Sequence, residues 1–457
     1  MASMSDEKLG TQSIPKLLLT LGLPGVAAQF INMLYNIVDR IYIGNIPDTG
    51  AMALTGVGVC FPIIMIISAF AAFAGMGGAP LASIRLGRGE RKEAEKILGN
   101  CFSLVLILSV LLTVFFQIFK EPVLYAFGAS GNSVGYGLSY IEIYLYGTVF
   151  VQIALGLNTF ISAQGNATTA MLSVLIGAVL NIALDPVFIF TFGMGVRGAA
   201  LATVLSQAAS AAWVLWFLMS RKSGIRIRRE NMRLSASVVK KVSGLGIAPF
   251  IMQSTESLVQ ITLNSGLQRY GGDLYVGSMT ILLSVMQVFS MPMQGFTQGA
   301  QPILSYNFGA KKFDRVNSCF RMMFISALCF GMVFCLLVWL FPTAFARLFS
   351  SDPELVELTA RKMPIFVAGM SIFGMQSACQ SFFMGLGQAK TSMFIALLRK
   401  VILLIPLALI FPVFWGVEGI YAAEPVADFT AATTTALVWA FRHKAMLYGP
   451  HAKEKKT

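Results

Sequence analysis

Five carboxylates stand inside long apolar stretches of this chain: Asp39, Asp185, Glu256, Glu424 and Asp428. Placing an ionised carboxylate in hydrocarbon costs about 2.5–3.5 kcal/mol even on the mildest insertion scale, so each is a functional candidate by default. Asn181 and Asp185 are four residues apart and share a helical face, with about 6 Å between their side-chain roots. Pro186 follows at once and removes the hydrogen bond to the Ile182 carbonyl, which frees an oxygen beside the acid. Counting along the apolar runs brings Asp39, Asp185 and Thr203 to one depth. Two carboxylates, an amide, a hydroxyl and a freed carbonyl can bind a sodium ion, or can hold one proton between the acids. The competing reading is that Asp39 pairs with Arg40 or an interfacial water while Asp185 merely caps a kink.

The second half of the chain offers another set. Arg399 and Lys400 fall inside an apolar run, near the expected depth of Asp428, where a structural ion pair is expected ahead of a substrate site. Glu424 precedes Pro425 and stands at the repeat position of Thr203, and Glu256 has no cationic partner nearby in sequence. Glu256, Glu424, Asp428 and Arg399 are therefore secondary candidates.

Other chemistries lack their residues. Both histidines, His443 and His451, lie beyond the last apolar run, so any group that titrates inside these runs is a carboxylate. The six cysteines have no metal-ligand spacing, no catalytic motif occurs, and no cofactor is expected beyond a coupling proton or sodium ion.

The elements that must position these groups are helices in a bilayer. With 56% hydrophobic and 12% charged residues, the 457-residue chain cannot cover itself with polar surface. Apolar runs of bilayer length lie near 16–43, 52–81, 95–119, 137–163, 167–191 and 197–219, then near 242–266, 275–304, 317–345, 361–385, 391–414 and 418–441. The expected fold is an all-α integral membrane protein with twelve transmembrane helices. Its units are an N-lobe over 1–220, a basic linker over 221–241, a C-lobe over 242–445 and a tail over 446–457.

The net charge of +13 is topological, not a sign of nucleic-acid binding, because the cations lie between apolar runs without interleaved aromatics. Of 34 Lys and Arg residues, 25 fall on one side, seven on the other, and two are Arg399 and Lys400. Cytoplasmic loops retain Lys and Arg, so the loop with Arg85, Arg88 and Arg91, the linker and both termini are expected in the cytoplasm.

A shift of 222 positions superposes Pro80 on Pro302, Gly87 on Gly309, Phe160 on Phe382, Gly165 on Gly387 and Met171 on Met393. With a one-residue slip, Gly195-Val196-Arg197-Gly198 meets Gly416-Val417-Glu418-Gly419. A constant offset over half a chain indicates duplication. Six segments per half give both halves the same orientation, related by a pseudo-two-fold axis along the membrane normal, with a cavity between them near the midplane.

The run Tyr35-Asn36-Ile37-Val38-Asp39-Arg40-Ile41-Tyr42-Ile43-Gly44 resembles the first-helix signature of the multidrug and toxic compound extrusion (MATE) transporters. Pro292 to Pro302 with Asn307 to Ala310, Gln164-Gly165-Asn166 with Gly385 to Gln388, Asn181 to Pro186, and Glu424-Pro425 to Asp428 also resemble motifs of that family. The resemblance implies a secondary antiporter of the bacterial cytoplasmic membrane, monomeric, exchanging amphiphilic organic cations for protons or sodium by alternating access. It implies a cation site on Asp39, Asn181, Asp185 and Thr203. Some members use a second site, with a seventh-helix acid matched here by Glu256 and a helix-ten aspartate that 362–385 lacks. Flippases for lipid-linked precursors share such an architecture and are the alternative, although a pyrophosphate cavity needs several Arg or Lys where this chain has only Arg399 and Lys400 inside a segment.

Overall fold

The computed structural model describes residues 4–448 apart from 132 and 351. His451, Lys453, Lys455 and Lys456, and most of the expected 446–457 tail, lie outside the described residues. The described chain is a bundle of helices: α1 Met4–Thr11, α2 Ile14–Gly44, α3 Gly50–Gly87, α4 Arg91–Ala126, α5 Val134–Tyr146, α6 Thr148–Ala163, α7 Ala167–Thr191 and α8 Val196–Met219. After residue 235 come α9 Ala236–Tyr270, α10 Asp273–Gly309, α11 Phe313–Leu340, α12 Pro342–Arg347, α13 Pro353–Phe366, α14 Met370–Gly385, α15 Ala389–Trp415 and α16 Val417–Tyr448.

Eight of the described helices are long and apolar enough to cross a membrane, nine if α5 and α6, bent by 62° at Gly147, count as one span. The remaining expected crossings, near 242–266, 361–385 and 418–441, are helical too. They miss on hydropathy or continuity because α9 carries Gln253, Glu256 and Asn264, α16 carries Glu424 and Asp428, and the chain breaks between α13 and α14. Helices run past the apolar runs that marked them, as α4 does from Arg91 to Ala126, because hydropathy marks only the hydrocarbon-facing part.

Three of the described helices carry π-helical turns: Ile153–Leu157 in α6, Val187–Thr191 after Pro186 in α7, and Leu398–Leu404 in α15. Such turns loosen the backbone ladder and cluster at functional sites. Here the second follows Asp185 and the third contains Arg399 and Lys400.

The backbone repeats where the sequence does. Gly165 and Gly387 both take positive φ, 84° and 70°, and Gly195 and Gly416 both sit at 55°. Gly89 and Lys311, also 222 positions apart, take 77° and 57°.

The first and second halves meet on glycine. A Cβ on Gly25 of α2 would collide with the Gly295 carbonyl of α10, one on Gly299 with the Leu21 carbonyl, and one on Gly246 of α9 with the Phe73 carbonyl of α3. Gly87 and Gly309 meet the Tyr306 and Ile84 carbonyls in the same way. Backbones that approach this closely hold helices together where hydrocarbon offers no hydrophobic drive. Among the described glycines, every seam between the halves lies toward the basic loops.

Two further joints tie that end. The end of α1 is grasped by the end of α10, the start of α11 and the loop between them: Asn307 Nδ2 donates to the Leu9 carbonyl at 2.9 Å, Lys312 Nζ to the Gly10 carbonyl at 2.8 Å, and Arg315 Nη2 to the Gln12 carbonyl at 2.5 Å. The expected linker is no free tether. The Gln164 side chain accepts from Ser223 Oγ at 3.0 Å and from the Ile225 amide at 3.1 Å, Asn100 accepts from the Ser235 amide at 2.7 Å, and Arg228 pairs with Glu95 at 2.9 Å.

Candidate functional site

In the first half, α2, α7 and α8 bring the four primary candidates together. Asp185 is fully buried, and Asn181 and Thr203 nearly so. Asn181 Nδ2 lies 3.4 Å from Asp185 Oδ1, one turn along α7, and 3.4 Å from Thr203 Oγ1 across on α8. The Asp39 carboxyl faces that of Asp185, close enough for each charge to act on the other. Arg40, which could have neutralised Asp39, instead lies with its guanidinium 5.9 Å from the Phe61 ring centroid. No ion pair to either acid is formed among the described residues. Asp39 Oδ1, Asp185 Oδ2 and Asn181 Oδ1 are buried acceptors without a hydrogen-bond partner there. Converging acceptors in a low-dielectric setting attract a small cation or a proton.

Sequence reasoning missed the tyrosines around this pair. Tyr35 stands one turn before Asp39 on the same face of α2. Tyr140 of α5, buried, is in hydrogen-bonding contact with Thr203 and stacks with Tyr144 at a centroid distance of 6.0 Å. Spacing along α2 could have suggested Tyr35; nothing local points to Tyr140. Ser206, one turn after Thr203, adds another buried oxygen without a partner.

The second half handles its acids differently. Arg399 on the π turn of α15 donates through Nη2 to Glu424 Oε1 at 2.9 Å and through Nε to Asp428 Oδ1 at 2.5 Å, and its guanidinium lies 4.7 Å from the Phe373 centroid. The expected pairing of Asp428 thus holds, with the correction that Arg399 clamps Glu424 as well. Lys400 turns the other way: it forms an ion pair with Glu256 and donates to the Met252 carbonyl at 2.8 Å. Glu256 does have a cationic partner, which the sequence hid because the two stand 144 positions apart. The secondary candidates therefore fall into two ion-pair groups held by adjacent residues of α15, Arg399 with Glu424 and Asp428 and Lys400 with Glu256, and neither group includes Asp39 or Asp185.

Helices too apolar for water, crossing in a bundle that buries an unneutralised acid pair, define a membrane transporter. The MatE family model matches twice, over residues 24–187 and 249–410, and the chain belongs to that family of MATE efflux transporters. It is 23% identical over 432 residues to the multidrug export protein MepA of Staphylococcus haemolyticus, covering 94% of each chain. It is 22% identical over 440 residues to MepA of Staphylococcus aureus strain N315, covering 95% of this chain and 96% of the relative. Among solved structures it is similar to the MATE multidrug transporter DinF-BH, at 36% identity and a TM-score of 0.90, covering 98% of this chain and 99% of that one. The fold is also that of an outward-facing multidrug resistance MATE family transporter of the MOP superfamily, at 23% identity and a TM-score of 0.91 over 98% of this chain and 99% of the other.

Proposed function

We propose that this chain is a secondary active antiporter that exports amphiphilic organic cations in exchange for protons or sodium. In this reading twelve crossings form two six-helix lobes, both termini are cytoplasmic, and the lobes rock about the glycine seams to open alternately to either side. One observation carries it: Asp39 and Asp185 face each other, and neither has an ion-pair partner among the described residues. A buried acid pair of that kind is stabilised by whatever mobile cation arrives, which ties its loading to the state of the cleft. Asn181, Thr203 and Tyr140 fix the geometry around it. The family's multidrug relatives support the substrate class, and the absence of fixed positive charge at the pair suits a cationic cargo.

The flippase alternative is disfavoured because the two intramembrane cations are engaged by acids and have little left for a pyrophosphate. Dye uptake into inside-out vesicles, measured under an imposed pH gradient and separately under a sodium gradient, tests the antiport. Asp185→Asn should reduce gradient-driven uptake to the level of empty vesicles. Uptake that survives in that variant rejects the coupling role.

A further inference from the structure

Each half lends the approach to its first long helix to the other half. Ahead of α2, the carbonyls of Leu9, Gly10 and Gln12 accept from Asn307, Lys312 and Arg315 of the second half. Ahead of α9, the carbonyls of Asn231 and Met232 accept from Asn100 Nδ2 at 3.2 Å and Ser103 Oγ at 2.6 Å, both on α4 of the first half. The repeat offset of 222 positions carries Leu9 onto Asn231 and Gly10 onto Met232, so equivalent carbonyls are gripped in both places. Apolar side chains follow the same exchange. Leu9, Ile14 and Leu17 pack into the core of the second half, whereas Ile225, Val238 and Val242 pack into that of the first. The two segments are reciprocal straps that tie the halves together at the basic end.

The two grips differ in kind. Around the linker strap the partners are dry: Asn100, Gln164, Ser223 and Glu95 are all buried. A Cβ on Gly99 would strike the Asn231 carbonyl, so α4 lies directly on that strap. Lifting it would leave buried amides and a buried carboxylate without partners, which is the costly way to break a hydrogen bond. Around the strap over residues 9–12, two of the three donors are cationic side chains near the surface, Lys312 exposed and Arg315 half-buried. Water can take the place of the carbonyls at such donors, so this strap leaves at a far smaller cost.

We propose that the strap over residues 9–12 is the releasable latch of the cytoplasmic face, and that Asn307, Lys312 and Arg315 set how readily it opens. The proposal rests on the alternating access of the reading above, in which the halves part at the basic end.

A buried thiol at the seam reads the opening. Ser83 of α3 is fully buried, with Oγ donating to the Pro302 carbonyl of α10 at 3.4 Å. The substitution Ser83→Cys is combined with Cys329→Ser, which removes the exposed native thiol. A membrane-impermeant maleimide is then added to inside-out vesicles without any gradient, and the rate of alkylation follows how often the face opens. Lys312→Met with Arg315→Met should raise that rate about tenfold, equivalent to about 1.4 kcal/mol in the opening equilibrium. Lys311→Met removes the same charge from the same loop outside the grip and should leave the rate unchanged. Equal rates throughout, or an equal rise in Lys311→Met, overturn the latch.

If the double variant does not fold, the opposite operation decides. A Cβ at residue 10 would lie 3.2 Å from Lys312 Nζ, so a short bifunctional reagent can join a thiol introduced by Gly10→Cys to that amine. The cross-link should stop gradient-driven dye uptake, and uptake at the uncross-linked rate overturns the proposal. Alkylation is read without a coupling gradient, so undiminished uptake in Asp185→Asn would reject the coupling role and leave the latch standing.

Discussion

The two halves bury acids by opposite means. In the first, Asp39 and Asp185 face one another with oxygens to spare; in the second, Arg399 spans Glu424 and Asp428 while Lys400 holds Glu256. Either arrangement answers the penalty of charge in hydrocarbon. A counterion carried by the chain answers it permanently, and the acids are then committed to structure. Acids left to each other depend on an ion from outside, and their occupancy can follow a gradient. The two repeated halves thus differ: in the second, two cations of the chain pair with three acids, whereas in the first the acid pair has no ion-pair partner among the described residues.

Giving the first half what the second has should produce the largest effect. Asn181→Arg would set a fixed cation between the acids, and dye export from intact cells should fall to that of cells lacking the protein; normal export would break the contrast. Next comes the reverse operation. Arg399→Met strands Glu424 and Asp428, and removal of one partner from a buried pair destabilises by about 3–5 kcal/mol, visible as a clear drop in melting temperature in detergent. Adding Glu424→Leu and Asp428→Leu should recover most of that drop, because replacing every charged partner by packed apolar groups is often neutral. Lys400→Met should cost less than Arg399→Met, since it strands the single carboxylate of Glu256 where the other strands two. The smallest change is expected at the basic loop, where Arg85 pairs with exposed Glu90 and holds its carboxyl below the usual carboxylate range. Any stabilisation from a depressed carboxyl is present at neutral pH and lost as pH falls through its folded value, so Glu90→Gln should matter least in acid and shift the melting temperature imperceptibly even at pH 7.

Much of the first site was legible because its signals are local. Asn181, Asp185 and Pro186 lie within two turns of one helix, and depth counting alone aligned them with Asp39 and Thr203. The duplication was readable for the same reason, through single residues such as Gly165 and Gly387 that the backbone demands at both places. What stayed hidden depends on tertiary neighbours. Tyr140 comes beside Thr203 only once α5 packs on α8, and Glu256 meets Lys400 only once α9 lies beside α15. The π turns of α6 and α15 have no marker within them, and that of α7 is announced only by Pro186. Nor did polarity alone disclose that Gln164 and Asn100 bind the connecting segment: Asn100 sits in an apolar run and Gln164 at the turn just beyond one, and their partners at 223–235 are distant in sequence.

The grip of Asn307, Lys312 and Arg315 on the carbonyls of residues 9–12 bears on how the protein can be handled. In the proposed alternating-access cycle, a reporter or purification tag fused ahead of residue 9 would hang beside a joint between the halves that has to part. Its bulk would bias the resting equilibrium and distort turnover without touching either acid cluster. The end of α16 is no freer a position, because Tyr448 packs edge-on against Phe313, beside Lys312, with ring centroids 5.0 Å apart.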